Sequence, residues 1–424
     1  MTGLLILIVY IALFTAAWAA LSAIRKQRAA LQDFTSLKTV TFGDESAIKA
    51  DRSASVISIA VIFLIWGAFT GSAWVPIHVP GPFTGEAVFT YTAVNAAGET
   101  DEAEVHVTVA PFAEEPVAPE IAEGDGFAKN DVDATNAWRT TLVRVARNDE
   151  GRREDGFKVT HVNGEPIVPD ETVDVDAGTV TMTPKGSLNF APYGGFQMEP
   201  IWMPSPEAVV YRFAEIASEG YQNFTLLDHL GWSLLRVVAG FIAGAIVGIP
   251  LGYAMGLSGW FRGWFDPIVE FMRPVPPLAL IPLVIIWFGI WETGKIVLLF
   301  LAALWIMTIA ARAGVSGVNI TKVHAAYSLG ASKWQILRHV IIPNSLPEIF
   351  TGARVAMGVC WGTVVAAELV AAQKGAGMMI IAASKFQLTD IVLMGIVLIG
   401  VIGYSIDVLM RMAERVLVPW KGRF

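Results

Sequence analysis

Long apolar runs constrain this chain more than any other feature. They cover about 2–22, 54–75, 233–256, 274–291, 296–312, 346–371 and 389–410. A bilayer's hydrocarbon core is about 30 Å thick, and a helix needs about 20 mainly apolar residues to cross it. Within lipid each segment must satisfy its own backbone polar groups, so such runs cross as helices. With 54% hydrophobic residues in 424, the chain is too apolar for an ordinary soluble protein. The expectation is an α-helical polytopic membrane protein of seven spans. The runs at 274–291 and 296–312 are short, and "GIWETGK" supplies few residues for the turn between them.

The opening "MTGLLILIVYIALFTAAWAALSAIRKQR" carries its positive charges after the apolar run, the reverse of a secretory signal peptide. It reads as an uncleaved span with a basic cytoplasmic flank. Lysine and arginine concentrate on cytoplasmic loops. Arg25, Lys26, Arg28, Lys38, Lys49 and Arg52 put the first loop inside. Arg262 and Arg273 do so for the third connection, and Lys322, Lys333 and Arg338 for the segment before the sixth span. Arg411, Arg415, Lys421 and Arg423 place the C-terminus inside. Seven crossings with an external N-terminus meet all four assignments, with Arg236 and Lys374 as exceptions on the outer side.

Charge also marks an insert. Between Pro76 and Met203 there are 22 acidic and 8 basic residues, whereas the rest of the chain has 16 acidic and 22 basic. By the orientation above this acidic region, 76–200, is extracytoplasmic. Residues 84–110, "TGEAVFTYTAVNAAGETDEAEVHVTVA", alternate apolar and polar around Asn-Ala-Ala-Gly, the pattern of a hairpin with one buried face. Residues 157–190 repeat it with Asn-Gly, Ala-Gly and Lys-Gly turns. "EEPVAPEIAEGDG" between them reads as a linker. The two halves resemble bacterial cadherin-like repeats, the closing hairpin of one preceding the opening half of another. That order implies a circularly permuted β-sandwich. Such repeats bind calcium in some cases, and Asp125, Asp131, Asp133, Asp149 and Asp155 are oxygen donors. No tight acidic loop at ligand spacing is present, so these residues are expected to form solvated surface.

Within the spans, "SLLRVVAGFIAGAIVGIPLGYAMG" places glycines at 240, 244, 248, 252 and 256. A spacing of four puts them near one helix face, where backbones approach closely in lipid. That face packs either within this chain or against a second subunit. "RPVPPLALIPLVIIWFG" has prolines at 274, 276, 277 and 282, which remove donors and kink a helix. Irregular backbone is tolerated where it is buried in protein or lines a water-filled cavity, so this is either a bent structural helix or part of a path. Arg354 and Glu368 stand 14 residues apart, about 21 Å along a helix, and cannot pair within it. Glu368, deep in "TVVAAELVAA", leads the translocation-path candidates, with Arg273, Pro276, Trp287, Trp361 and Thr363.

Catalytic chemistry is not evident. "GIWETGKI" matches seven positions of the phosphate-binding G-x-x-x-x-G-K-[ST] pattern, but Ile296 replaces the magnesium-binding hydroxyl and no strand precedes it. The six histidines are scattered, and the lone Cys360 forms no intrachain disulfide. No catalytic or metal-ligating set is assigned.

One polar segment interrupts the apolar pattern, "HAAYSLGASKWQILRHVIIP" from His324 to Pro343. A short helix is expected over about Ile320–Leu329, broken at Gly330. Ser332 and Gln335 form an S-x-x-Q capping box for a second helix, with Trp334, Leu337, Val340 and Ile341 on one side. Pro343 would end it, and Ser345 with Glu348 would cap the next span. From the residues alone this is either a folded connector or a docking element.

The spacing of Ala325, Ala326, Gly330, Val340, Ile342 and Pro343 resembles the E-A-A-x-x-x-G-x(9)-I-x-L-P signature of ATP-binding-cassette (ABC) importer permeases. His324 stands where the family has Glu. With Thr321 as cap, that position would be the third of the helix, where Glu is favourable. "PSPEAVV", "DPIVEFMRPVPPLALIPLVIIWFGIWETGKI", "LPEIFTGARVAMGVCWGTVVAAELVAA" and "VPWKG" are similar to taurine and sulfonate permeases over 54–75 and 201–424. The resemblance implies a six-span type I permease core, with 1–53 an extra span and linker and 76–200 the inserted β domain. It implies that His324, Ala325, Ala326, Gly330, Ala331, Ser332, Trp334, Leu337 and Pro343, within coupling helices at 320–343, dock on a cytoplasmic ATPase. ATP and magnesium would belong to that ATPase, leaving this chain non-catalytic and without a cofactor of its own. The implied partners are an ATPase dimer, a second copy of this permease, a periplasmic substrate-binding protein and inner-membrane lipid, with no nucleic acid. Taurine, another sulfonate or nitrate is the implied cargo. A membrane-anchored β-domain receptor or adhesin without transport is the alternative of another class.

Overall fold

The apolar runs become helices in the computed structural model, which describes residues 2–29, 52–112, 114–149 and 156–420. Lys38, Lys49, Asp155, Lys421 and Arg423, used above, lie outside the described residues. The chain divides into two units, Met1–Glu207 and Ala208–Phe424.

In the first unit, α1 (Thr2–Ala29) packs on α2 (Arg52–Thr70) through Tyr10, which is buried with Ala68 and Val75. The Tyr10 hydroxyl donates to the Ile77 carbonyl at 3.0 Å. α2 is shorter than the expected 54–75 because the chain turns at Gly71, whose φ is +65°. The segments entering and leaving the insert run together there. Met198 N–H donates to Phe69 O and Phe196 N–H to Pro80 O, both at 2.8 Å. Ser72 Oγ and Ala73 N–H donate to the Glu207 carboxylate at 2.6 and 2.9 Å. This clamp brings the ends of the insert close, the geometry that lets a domain sit inside a loop.

The insert is a two-sheet sandwich. β1 (Gly85–Val94) and β2 (Thr100–Ala110) form the expected hairpin, and their alternating residues face the core. β3 (Asp131–Asn136) joins β2 in parallel, while β5 (Lys158–Val162) pairs antiparallel with β1 and carries β6 (Glu165–Pro166) at its edge. The second sheet has the order β4-β9-β8-β7, from β4 (Thr141–Val143), β7 (Thr172–Val175), β8 (Gly178–Met182) and β9 (Leu188–Pro192). Since β1 pairs with strands from both halves of the insert, the halves close into one domain. Their inner faces share a core in which Phe89 of one sheet stacks on Phe190 of the other at 5.8 Å.

The expectation of solvated aspartates is corrected at two positions. Asp131 is 8% exposed, and its Oδ2 has no hydrogen-bond partner. Asp149 accepts from the Tyr91 hydroxyl at 3.0 Å and from Lys129 N–H at 2.6 Å. Burial, then the Asp149 charge, pushes the Asp131 carboxyl up to about 7. Strand alternation gives the reason, since Asp131 opens β3 on its inward register. Among the described residues no group of three or more His, Cys, Asp or Glu is arranged to hold a metal.

The second unit is helical. α3 (Pro206–Glu219) crosses the division and ties to α12 (Thr389–Leu417) through Arg212 and Asp390 at 2.7 Å. α4 (Leu226–Leu257) begins with a reciprocal capping box between Thr225 and Asp228. Its glycine face lies on α7 (Glu292–Ser316). A Cβ at Gly240 would stand 2.3 Å from Leu299 Cβ, and one at Gly252 would stand 2.4 Å from Thr308 O. The glycine spacing therefore serves packing within this chain. Between them, the expected single span at 274–291 does not form. α5 (Gly259–Met272) and the stretch Pro277–Phe288, ending in α6 (Ile281–Phe288), are bent by 92°. Pro274, Pro276 and Pro277 account for the break, because each removes a donor and restricts the residue before it.

After α7 come α8 (Ile320–Ser328), α9 (Lys333–Ile336), α10 (Ile342–Ala371) and α11 (Ala376–Lys385). Among the described residues five helices are long and apolar enough to cross a membrane, six if the bent pair is one span. The protein is thus an α-helical polytopic membrane protein with an inserted all-β sandwich.

Candidate functional site

The polar segment forms two helices joined by a tight corner. Asn319, not Thr321, caps α8, its side chain accepting from Thr321 N–H at 2.9 Å. His324 therefore lies beyond the first turn, past the reach of the helix N-terminal dipole. α8 stops in a Schellman motif. Gly330 N–H donates to Tyr327 O at 2.9 Å and Ala331 N–H to Ala326 O at 3.1 Å, with Gly330 at φ +80°. Ser332 and Gln335 then form the capping box in both directions, at 2.8 and 3.3 Å.

Pro343 does not end the second helix, and Ser345 is not a cap. Helix runs from Lys333 to Val370 through a wide π turn at Leu337–Ile341, where Ile342 N–H reaches back to Leu337 O. The wide turn makes room for the Pro343 ring and asks no hydrogen bond of its nitrogen. Ser345 Oγ instead donates to Ile342 O at 2.9 Å and meets Tyr253 Oη at 2.5 Å. Ile336 is the buried anchor of the corner, while Trp334 and Leu329 are 66% and 88% exposed. Leu337 and Pro343 are partly buried, whereas His324, Ala325, Gly330 and Ser332 are exposed, with Ala326 and Ala331 intermediate. Sequence reasoning missed Leu329; its signal was an apolar residue directly before the corner glycine. A concavity of about 330 Å³ lies between the helices, lined by Ala326, Leu329, Ala331, Gln335, Ile336 and His339 among others.

A second polar site lies inside the unit. Arg236 on α4 is fully buried and grips Glu292 at the start of α7 with two bonds, 2.5 and 2.8 Å. The same guanidinium reaches Glu368 on α10 at 2.6 Å and the Lys374 carbonyl at 2.9 Å. Lys295 donates to Glu292 at 2.9 Å, so two cations face two anions. Glu368 also accepts from Ser233 Oγ at 2.8 Å and from Gly377 N–H at 3.0 Å. A side chain at Gly375 would strike Glu368, its Cβ 2.4 Å from the carboxyl carbon. His229 completes the frame, with Nε2–H donating to Tyr221 O and Nδ1 accepting from Gly375 N–H, both at 3.1 Å. In low dielectric such charges are tolerable only when paired and hydrogen-bonded, and here they are.

This network borders a cavity of about 720 Å³ whose lining includes Trp232, Trp291, Lys295, Glu368, Lys374 and Lys385. The Lys374 ammonium lies over the Trp232 ring, 4.0 Å from its centroid. Of the six sequence candidates for a path, Glu368 alone lines this cavity. Arg273 is exposed beside Glu270, 3.9 Å away, and Pro276 sits in the α5–α6 break. Trp287 is exposed; Trp361 donates to Ile399 O at 3.0 Å, and Thr363 donates to Val359 O at 2.7 Å. The two exceptions to the charge rule, Arg236 and Lys374, are explained by their place at this site. The hydrogen-bond partners of Arg236 lie 56 to 138 residues away, which no local pattern reveals.

Residues 231–418 match the family described as binding-protein-dependent transport system inner membrane component. The taurine transport system permease protein TauC of Escherichia coli (strain K12) is 46% identical over 53% of this chain and 82% of its own length. This chain belongs to the ABC transporter permease family. Another such permease, the putative aliphatic sulfonates transport permease protein SsuC of the same organism, is 39% identical over 52% of this chain and 83% of its own. Among solved structures, the inward-facing MetNI methionine ABC transporter aligns with a TM-score of 0.41 and 19% identity, over 45% of this chain and 95% of that one. The matched region, 231–418, takes in both sites described above, the corner at Gly330 and the Arg236–Glu292–Glu368 network.

Proposed function

We propose that this chain is the transmembrane subunit of an ATP-driven importer for a small organosulfonate of the taurine type. The observation that carries the reading is the 46% identity across most of a taurine permease. The cavity beside Arg236 supports it, since Lys374 and Lys385 suit a sulfonate while Trp291 offers a ring face to an ammonium. A second copy of the permease completes the membrane path, a periplasmic binding protein delivers solute, and a cytoplasmic ATPase dimer takes up Leu329 and Trp334. ATP and magnesium act in that ATPase, whose closure moves the α8–α9 corners and switches the permease between outward and inward access. The basic flanks orient the chain with its C-terminus inside and the β domain outside. Labelled uptake into proteoliposomes containing the full importer tests the cargo, with taurine, hypotaurine, alkanesulfonates and nitrate in parallel. ATP-dependent uptake of taurine or an alkanesulfonate is expected; uptake of nitrate alone would overturn the sulfonate reading.

A further inference from the structure

Acidic residues outnumber basic ones 22 to 8 between Pro76 and Met203, yet among the described residues one cavity there carries only the minority charge. It measures about 690 Å³ and is bordered by Arg144, Arg147, Lys158 and Lys185, with no aspartate or glutamate among the described residues of its lining. Its floor is apolar, formed by buried Phe157, Val159, Ile167 and Met182. The four cations come from three separate places. Arg144 and Arg147 flank a single 3₁₀ turn closed by Arg147 N–H to Arg144 O at 2.9 Å, and Lys158 opens β5. Lys185 sits in the β8–β9 turn, which Gly186 N–H to Thr183 O closes at 2.8 Å. Fixed backbone thus presents all four to one hollow, and none has a carboxylate within ion-pair distance among the described residues.

Unneutralised like charges repel, and an acidic domain has carboxylates to spare for pairing them. Their convergence on an apolar floor matches a ligand that is anionic at one end and hydrocarbon at the other. The volume lies in the range of small-molecule sites, and arginine suits planar or tripodal oxyanions. We propose that the β domain binds a small amphipathic organic anion, an apolar body bearing one sulfonate or carboxylate. The floor holds the hydrocarbon, and the rim holds the headgroup through charge-assisted hydrogen bonds. This site lies wholly in the insert and stands independently of the transport reading.

Equilibrium dialysis of the full chain in lipid nanodiscs, corrected with empty nanodiscs, tests it with labelled hexanesulfonate and hexanol. Saturable hexanesulfonate binding is expected, with hexanol at least tenfold weaker. The double variant Arg144→Glu/Lys185→Glu, checked for an unchanged melting temperature, should lose at least tenfold in affinity. Should that variant not fold, Arg144→Gln/Lys185→Gln should show the same direction of loss. Absence of saturable binding, equal binding of hexanol, or undiminished affinity in the folded rim variants would each overturn the proposal.

Discussion

Arg236 is the residue on which the membrane unit turns. It meets carboxylates from two other helices and the Lys374 carbonyl between α10 and α11, and removing it leaves Glu368 buried without its cation. Breaking a buried pair on one side costs about 3–5 kcal/mol, so Arg236→Ala should lower the melting temperature of the purified protein sharply. Arg236→Lys should fall between, since an ammonium cannot reproduce the two-bond grip on Glu292. In the β domain the informative residue is Asp131, held protonated up to about pH 7 by burial and by Asp149. An unfolded aspartate has a pKa of about 3.9, so the folded state binds the extra proton between there and pH 7. Stability is therefore fully present below that window and lost as pH rises through it. Asp131→Asn should flatten this decline and raise the domain's melting temperature at pH 8, as followed by differential scanning calorimetry. Asp131 was read as surface because charge counts carry no inward register; only pairing with β2 fixes which way β3 faces.

At the scale of elements, the α4–α7 seam was half legible. The glycine spacing marked a close-packed face, but the choice between an internal and an external partner needed the packed helix. Gly252→Val should destabilise by about 1–3 kcal/mol through overpacking against Thr308 and Ala311. Gly231→Ala on the same helix meets nothing within 4 Å and should be neutral or stabilising by about 0.5–1 kcal/mol. Comparing unfolding midpoints of the two variants in detergent checks both. The corner at Gly330 was read fully from sequence, because glycine before a Ser-x-x-Gln box is a local signal. What followed it was not. The π turn at Leu337–Ile341 depends on continuity with α10, and a proline signals a helix stop as readily as a first turn. Gly330→Val forces a β-branched residue to φ +80°, at about 1–2 kcal/mol, and moves Leu329 relative to Trp334. Pull-down of the partner ATPase should recover severalfold less enzyme with this variant than with wild type.

For the whole molecule, the chain joins a helical transport unit to a β sandwich whose entry and exit are clamped together by Glu207 and the strand-like bonds at Phe69 and Pro80. That clamp explains how an acidic domain is accommodated between two spans without either unit's core being rewritten. The permease fold and family were legible because apolar length, glycine spacing and the corner motif are local. The charged network was not, because it is assembled from α4, α7 and α10. The reading of both sites comes together in one measurement, ATP hydrolysis by the permease reconstituted with its ATPase and binding protein. The account predicts that taurine or an alkanesulfonate raises hydrolysis severalfold in wild type and that Gly330→Val removes most of that increase. Hydrolysis indifferent to every sulfonate, or equally stimulated in Gly330→Val, would contradict it.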